Sequence, residues 1–338
     1  MHLHWLDSTA LDQRDVDAVT AVWEMSRAAD APSDLPATAP SVRAHLAYGW
    51  ELNPAQTALL RDDRERVVGV LDLYLSRYDN HHVAGVGVTV DPSVRRRGIG
   101  RRLFEAGVQR AVADGRTLIT ASCHEGGPGV GFAKAMGLDR ASEEVRRAQD
   151  LWSLDWDRLD QLATEALIHH ADYEIVPIGY PTPSELLPPI AVMTEAINDA
   201  PTDDLDVEDE VFTPDRVLAL ERSLGADGSR MHRLVARHRG SGELAGQTIV
   251  LVKAGQPWFA YQLDTSVVRA HRGHRLGLAL KVAMLRVLAQ AEPQVRTLET
   301  SNAASNDHMI GVNEVLGYRV VARVIDWQKH LSDAPVRP

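Results

Sequence analysis

Apolar residues recur along this chain in two spacings, one typical of helices and one typical of strands. A helical spacing over 12–29 places Val16, Val19 and Val22 on one face. Runs rich in β-branched residues over 67–75 and 86–90 predict strands. Because such helices and strands alternate along the whole chain, the pattern predicts a mixed α/β fold.

The predicted order of elements occurs twice. In each half a strand leads through a basic loop into an amphipathic helix, and a short helix near the end of the half closes on a glycine. Arg95 and Arg272, each five residues after a valine, are 177 positions apart, and Gly137 and Gly317 are 180 positions apart. These nearly constant offsets indicate a tandem duplication. They divide the chain into an N-terminal domain over 1–155, a connecting helix or linker over 156–171, and a C-terminal domain over 172–338.

Composition and charge narrow the class of protein. The 338 residues include 36 basic and 47 acidic side chains, a net charge of −11, which argues against nucleic-acid binding and favours an amine or other cationic substrate. No stretch reads as a secretory signal or a membrane span, so we expect no membrane partner. The single Cys123 excludes an internal disulfide and is typical of the cytoplasm. The histidine pairs lack metal-ligand spacing, so we expect no metal.

The segment over 87–103 carries the strongest chemical signal. A β-branched strand breaks at Asp91, passes through a basic loop with Gly98 and Gly100, and enters a helix. Backbone N–H groups and the helix dipole converge at such a point, and small residues let an anion approach closely. The loop therefore predicts a pyrophosphate cradle; the alternative is an ordinary turn with solvated arginines.

The spacing Val90-x-Pro92-x-x-Arg95-x-x-Gly98-x-Gly100 resembles the acetyl-CoA loop of the GNAT (Gcn5-related) N-acetyltransferases. In that family the loop amides hold the CoA pyrophosphate, and the preceding strand pairs with the pantetheine arm. The resemblance implies two tandem GNAT folds, each a mostly antiparallel sheet flanked by helices, with acetyl-CoA as cosubstrate. The positions that it assigns to acetyl-CoA binding are Val88, Val90, Arg95, Arg96, Arg97, Gly98, Ile99 and Gly100 in the first half, and Val267, Arg272, Gly273, His274, Arg275, Leu276, Gly277 and Asn306 in the second.

The first half keeps the better cradle but departs from the family elsewhere. Gly126 stands where the family often carries Asn, and Ala133 stands where it often carries a Tyr acid. Its cradle strand offers Val86 and Val88 rather than a carboxylate. We therefore expect little chemistry in this half.

The second half has the opposite pattern. Arg275 replaces a family glycine, so the cradle requires Arg275 to keep helical dihedrals while Gly273 relieves crowding. Asn306 matches the family's Asn, whereas Asn313 occupies the Tyr position.

The cradle strand of the second half carries the candidate catalytic residues Asp264 and Tyr261. A carboxylate there could take the proton of an amine. The alternative for Asp264 is a strand-end residue hydrogen-bonded to Ser266 or to solvent.

By resemblance, the chain is expected to be a cytoplasmic enzyme, a monomer or homodimer, that moves an acetyl group from acetyl-CoA to the amine of a small molecule. The amine would attack the thioester directly within a ternary complex. The alternative is a non-catalytic acyl-CoA-binding or regulatory protein in which both halves have lost their acids.

Overall fold

The structure is a computed structural model that describes residues 1–331. Over these residues the chain forms twelve strands and nine α-helices. The strands are β1 (His2–Trp5), β2 (Gln56–Arg61), β3 (Val67–Leu75), β4 (Val83–Val90), β5 (Leu118–His124), β6 (Asp139–Asp150), β7 (Tyr173–Ile178), β8 (Arg230–His238), β9 (Leu244–Val252), β10 (Phe259–Val267), β11 (Thr297–Ala303) and β12 (Arg319–His330). The helices are α1 (Gln13–Asp30), α2 (Ala39–Tyr48), α3 (Ile99–Ala113), α4 (Pro128–Ala135), α5 (Trp156–Leu167), α6 (Leu187–Thr194), α7 (Pro214–Gly225), α8 (Leu276–Ala291) and α9 (Asp307–Val315).

The chain forms two compact units, and each is discontinuous in sequence. Among the described residues, the first unit contains Met1–Glu143, Thr202–Asp209 and residues 323–331, and the second contains Glu144–Pro201 and Glu210–Ala322.

The first unit is built on the strand order β1-β2-β3-β4-β5-β12, in which β4 and β5 are parallel and the other pairs are antiparallel. On one face, α3 packs Leu103 and Phe104 against the sheet. On the other face, α1 and α2 pack valines and leucines against Leu59 and Val70. Strand β3 is buried on both faces, because residues 68–73 are buried without interruption and successive side chains point to opposite layers.

The second unit repeats this arrangement with the order β7-β8-β9-β10-β11-β6. Here β10 and β11 form the parallel pair. Helices α5 and α8 pack on one face, where Leu280 and Met284 meet Val250. Helices α6 and α7 pack on the other face, around Val235. The fold class is therefore the predicted one, a mixed α/β protein with mostly antiparallel sheets flanked by helices.

Each unit takes its last strand from the other half of the sequence. β6 follows the first half in sequence but pairs with β11, with Glu299 opposite Ala148. β12 ends the second half but pairs with β5, with Ile325 opposite Cys123. The predicted domain boundary at 156–171 does not include this exchange of strands, and the division into two domains at that segment stays a prediction. Residues 332–338 of the predicted C-terminal domain lie outside the described residues. No helix within residues 1–331 is both long enough and apolar enough to cross a membrane.

Candidate functional site

The two basic loops share one backbone conformation. In the first loop Arg96 and Gly98 have φ of 62° and 80°, and in the second Gly273 and Arg275 have φ of 84° and 53°. Each loop thus needs two left-handed residues and fills one with glycine and one with arginine. The expectation that Arg275 keeps helical dihedrals is wrong: Arg275, the residue before α8, is in the left-handed region (φ 53°, ψ 25°), as the glycine at the matching position of the first loop is.

The loop glycines border open space. A Cβ placed on Gly98, Gly273 or Gly277 meets no atom of the described residues within 4 Å. The first turns of α3 and α8 begin directly after these loops and present their unpaired N–H groups there. Both loops can therefore approach an anion closely, as a pyrophosphate requires.

The leading arginine of each loop is held by protein groups. Arg95 Nε donates to the Val90 carbonyl at 3.1 Å, and its Nη1 donates to Asp30 at 2.8 Å. Arg272 Nε donates to the Val267 carbonyl at 3.1 Å, and its guanidinium also pairs with Asp199. These arginines tie the loop to its own strand, so they shape the cradle. The solvent-exposed positions of the first loop are Arg96, Arg97 and Gly98.

The remaining predicted positions of the first half lie around the same loop. Ile99 is buried in the first turn of α3, and Val88 and Val90 are partly buried against the core. A Cβ on Gly100 would lie 3.1 Å from the ring of Phe132, so the helix start packs closely there.

The second unit contains a cavity of about 910 Å³ beside its loop. The end of β10 at 265–267 forms one wall, and the segment 196–201 and the start of α9 form others. Asn306, at the start of α9, accepts a hydrogen bond from the Met309 N–H at 3.2 Å. The predicted cofactor positions that line this cavity are Val267, Arg272, Gly273, Arg275, Leu276, Gly277 and Asn306. His274 Nδ1 instead donates to the His169 carbonyl oxygen at 2.9 Å.

Strand β10 contains a β-bulge where the cavity meets the sheet. Gln262 pairs with Val250 and Thr265 pairs with Thr248, so β10 has one residue more than β9 between these points. The parallel pairing of β10 with β11 ends at Tyr261, which frees the backbone edge of β10 beyond it. Bulges re-aim side chains, and this one carries Asp264.

Asp264 has one occupied and one unoccupied carboxylate oxygen. Oδ2 accepts from Gln247 Nε2 at 2.6 Å and from Ser266 Oγ at 3.1 Å. Oδ1 is buried and has no hydrogen-bond partner within residues 1–331. Burial raises the pKa of Asp264 to about 6, against the hydrogen bonds, which lower it. The hydrogen bond from Ser266, which a purely structural role of Asp264 predicts, is therefore present, and it leaves Oδ1 without a hydrogen-bond partner among the described residues.

Tyr261 lies three residues before Asp264, ahead of the bulge. Its ring packs edge-on against Phe259, with centroids 4.7 Å apart.

A buried polar cluster lies on the α8 side of the same strand. Lys281 is 2% exposed, and its Nζ donates to Asn313 Oδ1 at 2.8 Å and to Gln262 Oε1 at 3.2 Å. Tyr318 also donates to Gln262 Oε1, at 3.0 Å. Burial lowers the pKa of Lys281 to about 7, although Asp264 opposes this effect. Sequence reasoning missed this cluster, although a lone lysine in the apolar run of α8 was a visible signal.

The first unit has apolar residues at the positions that match Gln262, Lys281, Asn313 and Tyr318 of the second unit. The strand pairings align Tyr261 with Gly85, and hence Gln262 with Val86. The offset between Arg95 and Arg272 aligns Lys281 with its counterpart, and the offset between Gly137 and Gly317 aligns Asn313 and Tyr318 with theirs. The first-half counterparts are Val86, Phe104, Ala133 and Leu138, all members of one buried cluster. At these positions the core between the sheet and the helix after the cradle is therefore polar in the second unit and apolar in the first.

Comparisons with known proteins agree with this architecture. The family model described as the acetyltransferase (GNAT) family matches residues 22–137. The chain is similar to a tandem GNAT protein from the clavulanic acid biosynthesis pathway, at 28% identity and a TM-score of 0.79, over 98% of this chain and 99% of that one. Among curated proteins, no sequence matches the chain.

Two further solved structures show the fold alone. A GCN5-related N-acetyltransferase from Sphaerobacter thermophilus is 18% identical, with a TM-score of 0.67 over 97% of this chain and 96% of that one. A fungal glucosamine N-acetyltransferase region is 14% identical, with a TM-score of 0.70 over 97% of this chain and 38% of the longer protein. The match of the family model over residues 22–137, the duplicated folds and the full-length similarity to a tandem GNAT protein together support a tandem member of the GNAT acetyltransferase superfamily.

Proposed function

We propose that the protein moves an acetyl group from acetyl-CoA to the amine of a small molecule, and that this chemistry takes place in the second unit. The proposal rests on three neighbouring features of β10. Residues 265–267 line the cavity beside the Arg272–Gly277 loop, β11 leaves the β10 backbone unpaired beyond Tyr261, and the buried Asp264 carboxylate lies in the bulge next to Thr265.

The residues of the cavity suit an extended acyl-CoA. The N–H groups of the loop and of the first turn of α8 would hold the pyrophosphate. The β10 edge at 265–267 would pair with the pantetheine arm, which orients the thioester toward the bulge. Acetyl-CoA supplies the activated acyl group as a thioester.

Asp264 is the candidate general base. With a pKa of about 6 its carboxyl is ionised at neutral pH and still basic enough to take a proton. Gln247 and Ser266 fix Oδ2, so Oδ1 is the atom that would accept the proton from the amine. Tyr261 remains a candidate for contacting the acceptor.

Asp264→Asn tests this assignment, because it keeps the shape and removes the proton acceptor. Turnover of amines, followed as free thiol release, should fall about 100- to 10,000-fold. Asp215→Asn, at an exposed position of α7, is the matched control. Turnover within twofold of the unsubstituted protein from pH 6 to 9 would remove Asp264 from the mechanism.

One observation favours the non-catalytic alternative. Neither unit has an ionisable acid at the position of the family's Tyr, because Ala133 is apolar and Asn313 is a buried amide bonded to Lys281. An acyl-CoA-binding or regulatory protein would bind acetyl-CoA yet release no thiol with any amine.

We further propose a cytoplasmic monomer or homodimer that works without a metal, nucleic acid or membrane.

A further inference from the structure

The first unit carries a carboxyl group on the face of its sheet that α1 and α2 cover. Asp72 of β3 lies opposite Gly87 of β4, and Tyr74 lies opposite Gly85. A Cβ on Gly87 would lie 3.5 Å from the Asp72 Cβ, and one on Gly85 would lie 3.3 Å from the Tyr74 Cβ. The two glycines thus leave the β4 backbone bare on this face, directly beside Asp72 and Tyr74.

The valines of β4 lie on the opposite face. Val86 belongs to the core under α3, where its Cγ1 is 3.3 Å from the Cβ position of Gly107. The sequence-based expectation for this half considered only the side chains of β4, which carries no carboxylate; Asp72 belongs to the neighbouring strand β3.

Asp72 is surrounded by groups that suit a cationic ligand. It is 5% exposed, and its Oδ1 accepts from Thr57 Oγ1 at 2.7 Å. Tyr74 is 41% exposed, and its hydroxyl is 3.3 Å from His45 Nε2. The Trp23 and His45 rings pack edge-on, 5.2 Å apart. Burial raises the pKa of the Asp72 carboxyl, which makes it a stronger base. An ammonium group beside it would favour its ionised form and would also be attracted by the faces of the neighbouring rings.

This group of residues lies next to the first cradle. The parallel pairing of β4 with β5 ends at Gly85, so the β4 edge is free of β5 from Val86 onward. Three residues of β4 then separate Gly87 from Asp91, where the loop that contains Gly98 begins. A ligand extended along β4 from this loop would therefore run toward Gly87 and Asp72.

We infer that the first unit holds a second acyl-acceptor site, in which Asp72 receives a primary amine carried on an aromatic or apolar body. Asp72 would take a proton from the ammonium group. The amine nitrogen would form its bond to the acyl carbon while the carbon–sulfur bond breaks, and the sulfur would keep that electron pair. The thiolate would take the second proton from nitrogen, and Asp72 would return the first to water. The products are an amide and free CoA.

The test uses the full-length protein with phenethylamine as probe and phenethyl alcohol as its uncharged match. Calorimetric titration with CoA present should show that Asp72→Asn weakens phenethylamine binding about 10- to 100-fold, the loss expected for a hydrogen bond to a charged group. Binding of phenethyl alcohol should be unchanged. Asp17→Asn, at an exposed position of α1, should bind both probes like the unsubstituted protein.

Turnover separates this site from the one proposed for the second unit. In an Asp264→Asn background, thiol release with phenethylamine should persist and should fall at least about 100-fold when Asp72→Asn is added. If Asp264→Asn left the turnover of other amines unchanged, that result would count against the mechanism proposed for the second unit. The comparison of the single and double variants with phenethylamine would still test Asp72. Melting temperatures check the fold, and Gly87→Val, which fills the space beside Asp72, replaces Asp72→Asn if that variant does not fold.

Three results would overturn the inference. These are the absence of phenethylamine binding to the unsubstituted protein, equal affinity in the Asp72→Asn variant, and equal turnover in the single and double variants.

Discussion

Replacing Lys281 by Met should change how the stability of the protein depends on pH. Lys281 is buried, and its ammonium group is held by two side-chain carbonyl oxygens, those of Gln262 and Asn313. Burial lowers its pKa from 10.5 to about 7, so between these values the unfolded chain binds a proton that the folded chain does not. Stability attributable to Lys281 therefore rises with pH across this window and falls as pH decreases toward 7.

The size of the effect follows from the pKa. Lowering it from 10.5 to about 7 corresponds to on the order of 5 kcal/mol over the whole window, and about 2 kcal/mol of this falls between pH 7 and 9. Asp264, with a pKa of about 6, stays ionised over that range and adds little to the slope. The variant also leaves Asn313 Oδ1 without its lysine donor, a cost of about 1–3 kcal/mol that does not depend on pH.

Urea unfolding of the unsubstituted protein and of Lys281→Met, measured at pH 7, 8 and 9, gives the comparison. The difference in the free energy of unfolding between the two proteins should move by about 2 kcal/mol in favour of the lysine from pH 7 to pH 9. Lys134→Met, at an exposed position of α4, controls for the loss of a surface lysine. Parallel curves for the unsubstituted protein and Lys281→Met would show that the ammonium group is not desolvated as argued.

Two further substitutions test the loops. Gly98→Asp should weaken CoA binding to the first unit about tenfold or more by calorimetry, because it places a carboxylate at the open face of the cradle. The neutral variant Gly98→Asn should bind CoA much more tightly than Gly98→Asp does. Equal affinities of the two variants would mean that no phosphate binds there. Arg275→Gly should raise the free energy of unfolding by up to about 1 kcal/mol, since a non-glycine residue in the left-handed region costs about 1–2 kcal/mol and glycine loses part of this gain to chain entropy. A lower free energy of unfolding, measured with denaturant, would contradict backbone strain at Arg275. Arg96→Gly makes the same change in the first loop.

Local patterns predicted the elements that carry the cradles. The strand over 86–90 and the helix after Gly98 follow from β-branched runs and from helical spacing, and both exist as β4 and α3. The repeated order of elements likewise predicted two similar folds. Signals of this kind lie within about twenty residues of each other, so the sequence contains them directly.

Other features depend on contacts between distant segments. Asp72 and Gly87 face each other only because β3 and β4 pair in one register, and no local pattern connects a lone carboxylate in β3 with glycines fifteen residues later. The bulge that carries Asp264 is likewise a property of the β9–β10 register. Helix α7 was not predicted, and two of its five buried side chains, Arg216 and Glu221, are charged, which interrupts its apolar face.

The exchange of β6 and β12 decides which experiments can assign chemistry to one unit. The sheet of the first unit needs β12 to cover β5, and the sheet of the second needs β6 to cover β11. Cutting the chain near 156–171 would remove from each sheet the strand that covers its edge, and an uncovered edge favours aggregation. Loss of activity in a separated half would then report the missing strand rather than a missing catalytic group. Single substitutions in the intact chain avoid this problem, since Asp72 and Asp264 lie within strands whose partners come from their own half.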